Sequence, residues 1–263
     1  MDAQQADWMT LRRAAGDGVA VIPMGSFEAH GPHMPCGTDT MLVEGIVSAA
    51  VEASDPRRVV VFPTVRYSVV EWARPFASVG LSPATLHAKL VDLAADLHRL
   101  GFRRIAFVQG HGNLPASQMA ISQLRYDKTL ALYVDLCPYL MAADEARDIA
   151  GEDLTHAGTI ETALMLALHA DRVDMARAVD GPGDLGGGGF GYRTLHNRPG
   201  VFCIPASTAL PDGVEGLATR ATAEMGARLL RVYADALAEV FDDILGTDVP
   251  SVFLEDVRKE PDP

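Results

Sequence analysis

The sequence predicts an α/β fold: a single domain with a mostly parallel β-sheet sandwiched between α-helices. Three observations predict it. Short, almost continuously apolar runs recur along the chain, amphipathic helical patterns separate them, and no Pro/Ser-rich linker divides the sequence. Strands covered on both faces are apolar throughout rather than alternating. Strand–helix alternation in turn builds parallel sheets through crossover helices. With 263 residues, 48% of them hydrophobic, one substantial core is affordable.

The elements follow in order. "GVAVIPM" (18–24), "RVVVFPTV" (58–65), "RRIAFVQ" (103–109) and "LALYVDL" (130–136) read as strands. Helices are expected at 40–53, 115–126, 158–170 and 214–243. The clearest helix is "SPATLHAKLVDLAADLHRLG", with Ser82 as N-cap, Pro83 at the first helical position and Gly101 just past the end. Its Leu86, Leu90, Leu93, Leu97 and Leu100 recur at spacings of three and four, predicting a buried stripe. The domain is expected to span 1–263, with a short flexible tail from about residue 250. "GPGDLGGGGFGYR" (181–193) is the low-complexity patch, expected to be a mobile lid or subunit-contact loop.

Charge narrows the function classes. The net charge is −13 and no basic stripe is present, which argues against nucleic acid and anionic membrane surfaces as partners. Three cysteines (Cys36, Cys137, Cys203) are too few and scattered for a disulfide framework. Neither a signal peptide nor a transmembrane stretch is evident, and a cytoplasmic protein is expected.

Chemistry concentrates where strands end. In open α/β sheets, sites lie beyond the carboxyl ends of the strands. The first strand runs into "GSFEAHGPHMPCGTD" (25–39), which gathers Glu28, His30, His33 and Asp39. Residues two apart in an extended segment share a face, so Glu28 and His30 can reach one point, and the turn-rich "GPHMPCG" can return Asp39 to it. The third strand runs into "GHGN", where His111 stands between two glycines. A third segment, "THAGTIETALMLAL" (155–168), places His156 before a helix and Glu161 in its first turn. There a carboxylate is favoured by the helix dipole alone. Mixed imidazole and carboxylate ligation suits a divalent Zn, Mn or Fe ion, and the surplus of ligands suits two.

"GSFEAHGPHMPCGTD", "QGHGNL" and "HAGTIET", in this order, resemble the creatininase (creatinine amidohydrolase) family, in which the corresponding segments read G-S-x-E-x-H-G-P-H-L-P-x-G-T-D, N-G-H-G-G-N or N-G-H-Y-E-N, and H-A-G-x-x-E-T. The resemblance implies a metal-dependent amidohydrolase acting on a small molecule, with two divalent metals per chain. It also implies a homo-oligomer, often a hexamer built from dimers. It places Glu28, His30, Asp39 and His111 on metal-ligand positions, with Asp39 bridging, and His156 on an acid/base position. Creatininase has a further glutamate ligand two residues after the loop histidine, where this chain has Asn113. Glu161 can fill that role, and Asn113 is grouped with the substrate-binding residues. His33 is expected to orient a ligand or the loop. Trp72, Arg74 and Phe76 are expected to line the pocket, the arginine suiting a carboxylate-bearing substrate. Creatininase also has a tryptophan where Glu152 stands, so creatinine is not the expected substrate.

The expected reaction is hydrolysis of a C–N amide bond, with His156 donating a proton to the leaving amine. The family's activities on formamides, keto-inositol rings and the mycofactocin peptide frame the alternatives. A serine or cysteine hydrolase using Ser26 or Cys36 lacks a nucleophile elbow. A non-catalytic metal or small-molecule binding protein is the alternative of a different class.

Overall fold

The computed structural model describes residues 1–71, 73–112, 114–127, 131–181, 210 and 212–249. Four strands, β1 (Val19–Met24), β2 (Val59–Val61), β3 (Arg104–Gln109) and β4 (Leu132–Leu136), form one sheet in the order β2-β1-β3-β4. Every pairing is parallel, and Met24 lies opposite Gln109, so β1 and β3 end side by side. β1 is buried along its whole length, as a continuously apolar strand should be.

Helices cover both faces. They are α1 (Trp8–Ala14), α2 (Thr38–Ala53), α3 (Pro83–Leu100), α4 (Leu114–Tyr126), α5 (Pro138–Met141), α6 (Ala143–Ala150), α7 (Thr159–His169) and α8 (Ala223–Gly246). Val19, Val21 and Val108 point to the core shared with α2, α7 and α8. Ala20, Ile22 and Phe107 point to the core shared with α3 and α4. On the first face, α8 lies close on α7 because position 226 is glycine: a Cβ there would stand 1.8 Å from the Ala163 carbonyl oxygen. The described elements thus have the predicted α/β architecture, and no described helix is long and apolar enough to cross a membrane.

Several expectations need correction. The second strand is three residues, not eight, because Pro63 has no N–H to give the ladder. The chain stays extended around it, with Phe62 N donating to Val21 O at 2.8 Å and Val65 N to Pro23 O at 2.9 Å. In α3 the cap is as expected, Ser82 Oγ accepting from Thr85 N at 3.2 Å. The buried stripe, however, is Leu86, Leu90, Ala94 and Leu97, while Leu93 is 38% exposed and Leu100 half-buried at the stripe's edge. The last helix starts at Ala223, not 214. Thr222 is extended and its hydroxyl accepts from Met225 N at 3.2 Å, making it the N-cap. Short α1, α5 and α6 were not expected. Residues 182–193 of the glycine-rich stretch and the tail from 250 lie outside the described residues.

Candidate active site

The site opens at the shared carboxyl end of β1 and β3. Gly110, directly after β3, packs so closely on α2 that a Cβ would meet Val43 Cβ at 2.6 Å and Asp39 O at 2.8 Å. This close approach brings His111 onto the residues that follow β1. Asp39 lies in the first turn of α2 rather than in the preceding loop, where the positive end of the helix favours a carboxylate.

Glu28, His30, Asp39, His111 and Glu161 converge. His111 Nδ1 stands 2.9 Å from Glu28 Oε2 and 3.0 Å from Asp39 Oδ2. His30 Nε2 stands 3.0 Å from Asp39 Oδ1 and 3.7 Å from Glu161 Oε2. Two metal-capable groups result, Glu28–Asp39–His111 and His30–Asp39–Glu161, and Asp39 belongs to both. A third grouping joins Glu28, His30 and His156.

The outer nitrogens of the rings are held by backbone carbonyls. His111 Nε2 donates to Val69 O at 3.0 Å, His30 Nδ1 to Glu28 O at 3.0 Å, and His156 Nε2 to Ala29 O at 2.8 Å. A carbonyl only accepts, so the outer nitrogens of His30 and His111 carry protons. With both rings raised in pKa, the inner nitrogens carry a second proton toward the carboxylates, the place a metal ion would take. Metal-binding histidines are oriented in this way. Ser26 Oγ donates to Asp39 Oδ2 at 2.6 Å, so this serine orients a carboxylate rather than serving as a nucleophile.

The electrostatics require positive charge. Burial works against ionisation throughout, yet Asp39, Glu161 and Glu28 overcome it and push His30 up to about 10. His111 rises well above its ordinary value under the pull of Glu28 and Asp39, again against burial. Burial raises Asp39 less than His30 and His111 lower it, and it sits well below the usual carboxylate range. Glu161 is pushed up to about 7 by burial, His30 opposing. Glu28 Oε1 is buried without a hydrogen-bond partner. Without a metal ion, protons must neutralise a nest of buried carboxylates; the donor set and the orphaned oxygen fit divalent cations.

Glu161 serves two purposes. Its Oε2 accepts from Ala157 N at 2.7 Å, the helix-start role, while facing His30. His156 is lowered to about 4 by burial and by the His30 charge. It lines a cavity of about 340 Å³ together with Glu28, Asp39, His111 and Glu161. A second hollow of about 320 Å³ beside Met1 and Glu52 contains none of the metal-capable groups.

His33, expected among the substrate-binding residues, is not among the described residues lining the cavity. It is buried, with Nε2 2.9 Å from Thr162 Oγ1, and its carbonyl accepts from Asp174 N at 2.9 Å. It ties the motif loop to α7. Trp72 and Asn113 lie outside the described residues, as does the side chain of Arg74, whose backbone forms a short 3-10 turn with Pro75 and Phe76. Phe76 is half-buried and is not among the described residues lining the cavity. Sequence reasoning missed the rest of the described wall: Cys137, Tyr139, Leu140, Leu154, Leu210 and Glu215. Cys137 to Leu140 follow the carboxyl end of β4, the same signal that located the other loops.

A parallel α/β sheet carrying buried carboxylates and imidazoles at its strand ends defines an enzyme of the metal-capable hydrolase class. The creatininase family, described as creatinine amidohydrolase, matches residues 4–241. Creatinine amidohydrolase of Pseudomonas putida is 30% identical over 88% of this chain and 92% of its own length. The mycofactocin precursor peptide peptidase of Mycolicibacterium smegmatis is 32% identical over 59% of this chain and 60% of its own. A crystal structure of creatininase superposes with a TM-score of 0.76 at 26% identity, covering 94% of this chain and 98% of that one. Similar structures include a manganese creatininase and a Zn–Zn creatininase variant. This chain belongs to the creatininase family, hydrolases that act on C–N amide bonds.

Proposed function

We propose that the chain is a metal-dependent amidohydrolase that cleaves a C–N amide bond of a small molecule other than creatinine. The observation that carries this reading is the placement of Asp39 between the Glu28–His111 and His30–Glu161 pairs. Two divalent ions, zinc, manganese or iron, would be held there with Asp39 between them, and Glu161 would supply the ligand lacking at Asn113. When bound, such ions acidify water to a pKa of about 7 and polarise a carbonyl.

The chain's own residues supply the rest. Glu28 and Asp39 fix the inner nitrogens of the two imidazoles, and Ser26 holds Asp39 in register. His156 is neutral near pH 7, since burial keeps its pKa low. Its Nε2 is committed to Ala29 O, so Nδ1 is the basic nitrogen that takes a proton and returns it to the leaving amine. Glu152 supports a substrate other than creatinine. At the position where the family resemblance has tryptophan, its carboxylate accepts from Thr159 N at 2.8 Å and Leu217 N at 3.3 Å. It is a structural clasp rather than an aromatic side chain.

Trimming of a short peptide is a second reading, favoured by the M. smegmatis relative and by the exposed lip of Leu140 and Leu154. The test is turnover of amides, lactams, formamides and short peptides by metal-loaded and chelator-treated protein. Hydrolysis lost in chelator and restored by metal supports the proposal. Metal bound without turnover of any substrate would instead indicate a binding protein.

A further inference from the structure

We infer that the Tyr139 hydroxyl binds the oxygen of the substrate's scissile carbonyl and so selects an amide oxygen as its acceptor. This deepens the amidohydrolase reading and rests on it. Tyr139 lines the cavity and is 4% exposed, and its hydroxyl is buried without a hydrogen-bond partner. Among the described lining residues, the other side-chain atom in that condition is Glu28 Oε1. The two differ in kind: a carboxylate only accepts, whereas a phenol can donate. A cation satisfies the first, and the second needs an acceptor. Buried polar groups without a partner are rare in folded proteins, and one in a cavity wall points to a partner that arrives with the ligand.

The donor is held in place. Tyr139 belongs to α5, the single turn that follows the carboxyl end of β4. Its ring packs edge-on against Tyr233, with centroids 5.2 Å apart and planes at 82°, within the core shared with α8. A phenol keeps its proton at neutral pH, and burial, with Glu161 and Asp39 nearby, pushes this one well above its ordinary value. Neither carboxylate accepts from it, since the hydroxyl has no partner. Other donors are scarce. Among the described lining residues none is lysine, arginine, asparagine, glutamine or serine, and the Thr155 hydroxyl donates to Glu152 Oε1 at 3.5 Å. In hydrolysis, water adds to the carbonyl carbon and the π electron pair moves onto the oxygen. The phenol hydrogen-bonds that oxygen without transferring its proton, and the pair returns as the C–N bond breaks. His156 acts on the amine, so the two residues address opposite ends of one amide.

The probes are acetohydroxamic acid and thioacetohydroxamic acid, titrated against the cobalt-loaded protein and read from the visible spectrum. They differ in the one atom the phenol reaches, oxygen in the first and sulfur in the second. Tyr139→Phe keeps the ring against Tyr233 and removes the donor. It is expected to bind acetohydroxamate about tenfold more weakly than the native protein. The thio analogue is expected to lose far less, because sulfur is a weak acceptor. Cobalt content is expected to be the same in both proteins. Equal weakening of the two probes would show a packing role and overturn the inference, as would unchanged acetohydroxamate binding or loss of cobalt in the variant. Cobalt-loaded native protein that binds no acetohydroxamate overturns it too, leaving the metal reading intact. If the native protein takes up no cobalt, the metal reading fails first and takes this inference with it.

Discussion

The carboxylate–imidazole floor of the cavity and the rest of its wall are built by different means. Glu28, His30 and His111 sit on the loops that follow β1 and β3, Asp39 and Glu161 in the first turns of α2 and α7, and all but His111 are deeply buried. On the wall, Leu140 is 62% exposed and Leu154 40%, and Glu215 stands on an irregular segment held by Glu152 and His156. A metal site needs fixed geometry, which burial and the bonds from Ser26 and to backbone carbonyls provide here. On the proposed reading a substrate wall would need only shape and charge, and could change without disturbing the metal-capable groups. The proposed function accordingly assigns reaction type to the floor and substrate choice to the wall.

Substitutions can break this division. The largest effect is expected from Asp39→Ala, which removes the group shared by both metal-capable sets: hydrolysis and bound metal should vanish together, checked by assay and elemental analysis. A variant that retained its metal would break the floor into separate parts. Next, His156→Ala should keep the metal and lower turnover by about 10²–10⁴-fold. Loss of metal in that variant would move His156 into the ligand set, as its grouping with Glu28 and His30 permits. A smaller change is expected from Glu161→Gln, in which metal content should fall from about two ions per chain to about one. Unchanged content would leave Glu161 with only its helix-start role.

The smallest effect concerns stability. His33 is lowered from 6.5 to about 4 by burial and by the His30 charge. The unfolded chain therefore takes up this proton before the folded one. The resulting stability is present above pH 6.5 and is lost as pH falls toward 4, on the order of 3 kcal/mol for a fully buried ring. In chelated protein, His33→Gln should flatten denaturant-measured stability across that window. An undiminished slope would place its source elsewhere.

The floor was legible because its chemistry is local. Glu28, His30 and Asp39 sit in one motif, and His111 follows a strand whose carboxyl end the α/β rule singles out. Glu161 read equally well as a helix-start carboxylate because it is one; its second role depends on the 3.7 Å approach to His30, which no spacing announces. Ser26 reads from sequence as a possible nucleophile, and only the fold shows it bonded to Asp39. The wall was not legible because Glu215 is held at the cavity by His156, and its neighbour Leu217 by Glu152, both about sixty residues earlier in the chain. The apolar pattern of 214–222 also passed for a helix until Thr222 capped the real one.

The most direct measurement is the metal content of the purified, metal-loaded protein per chain, by elemental analysis. The account predicts about two divalent ions, matching two groups that share Asp39. A content of zero after loading would contradict it.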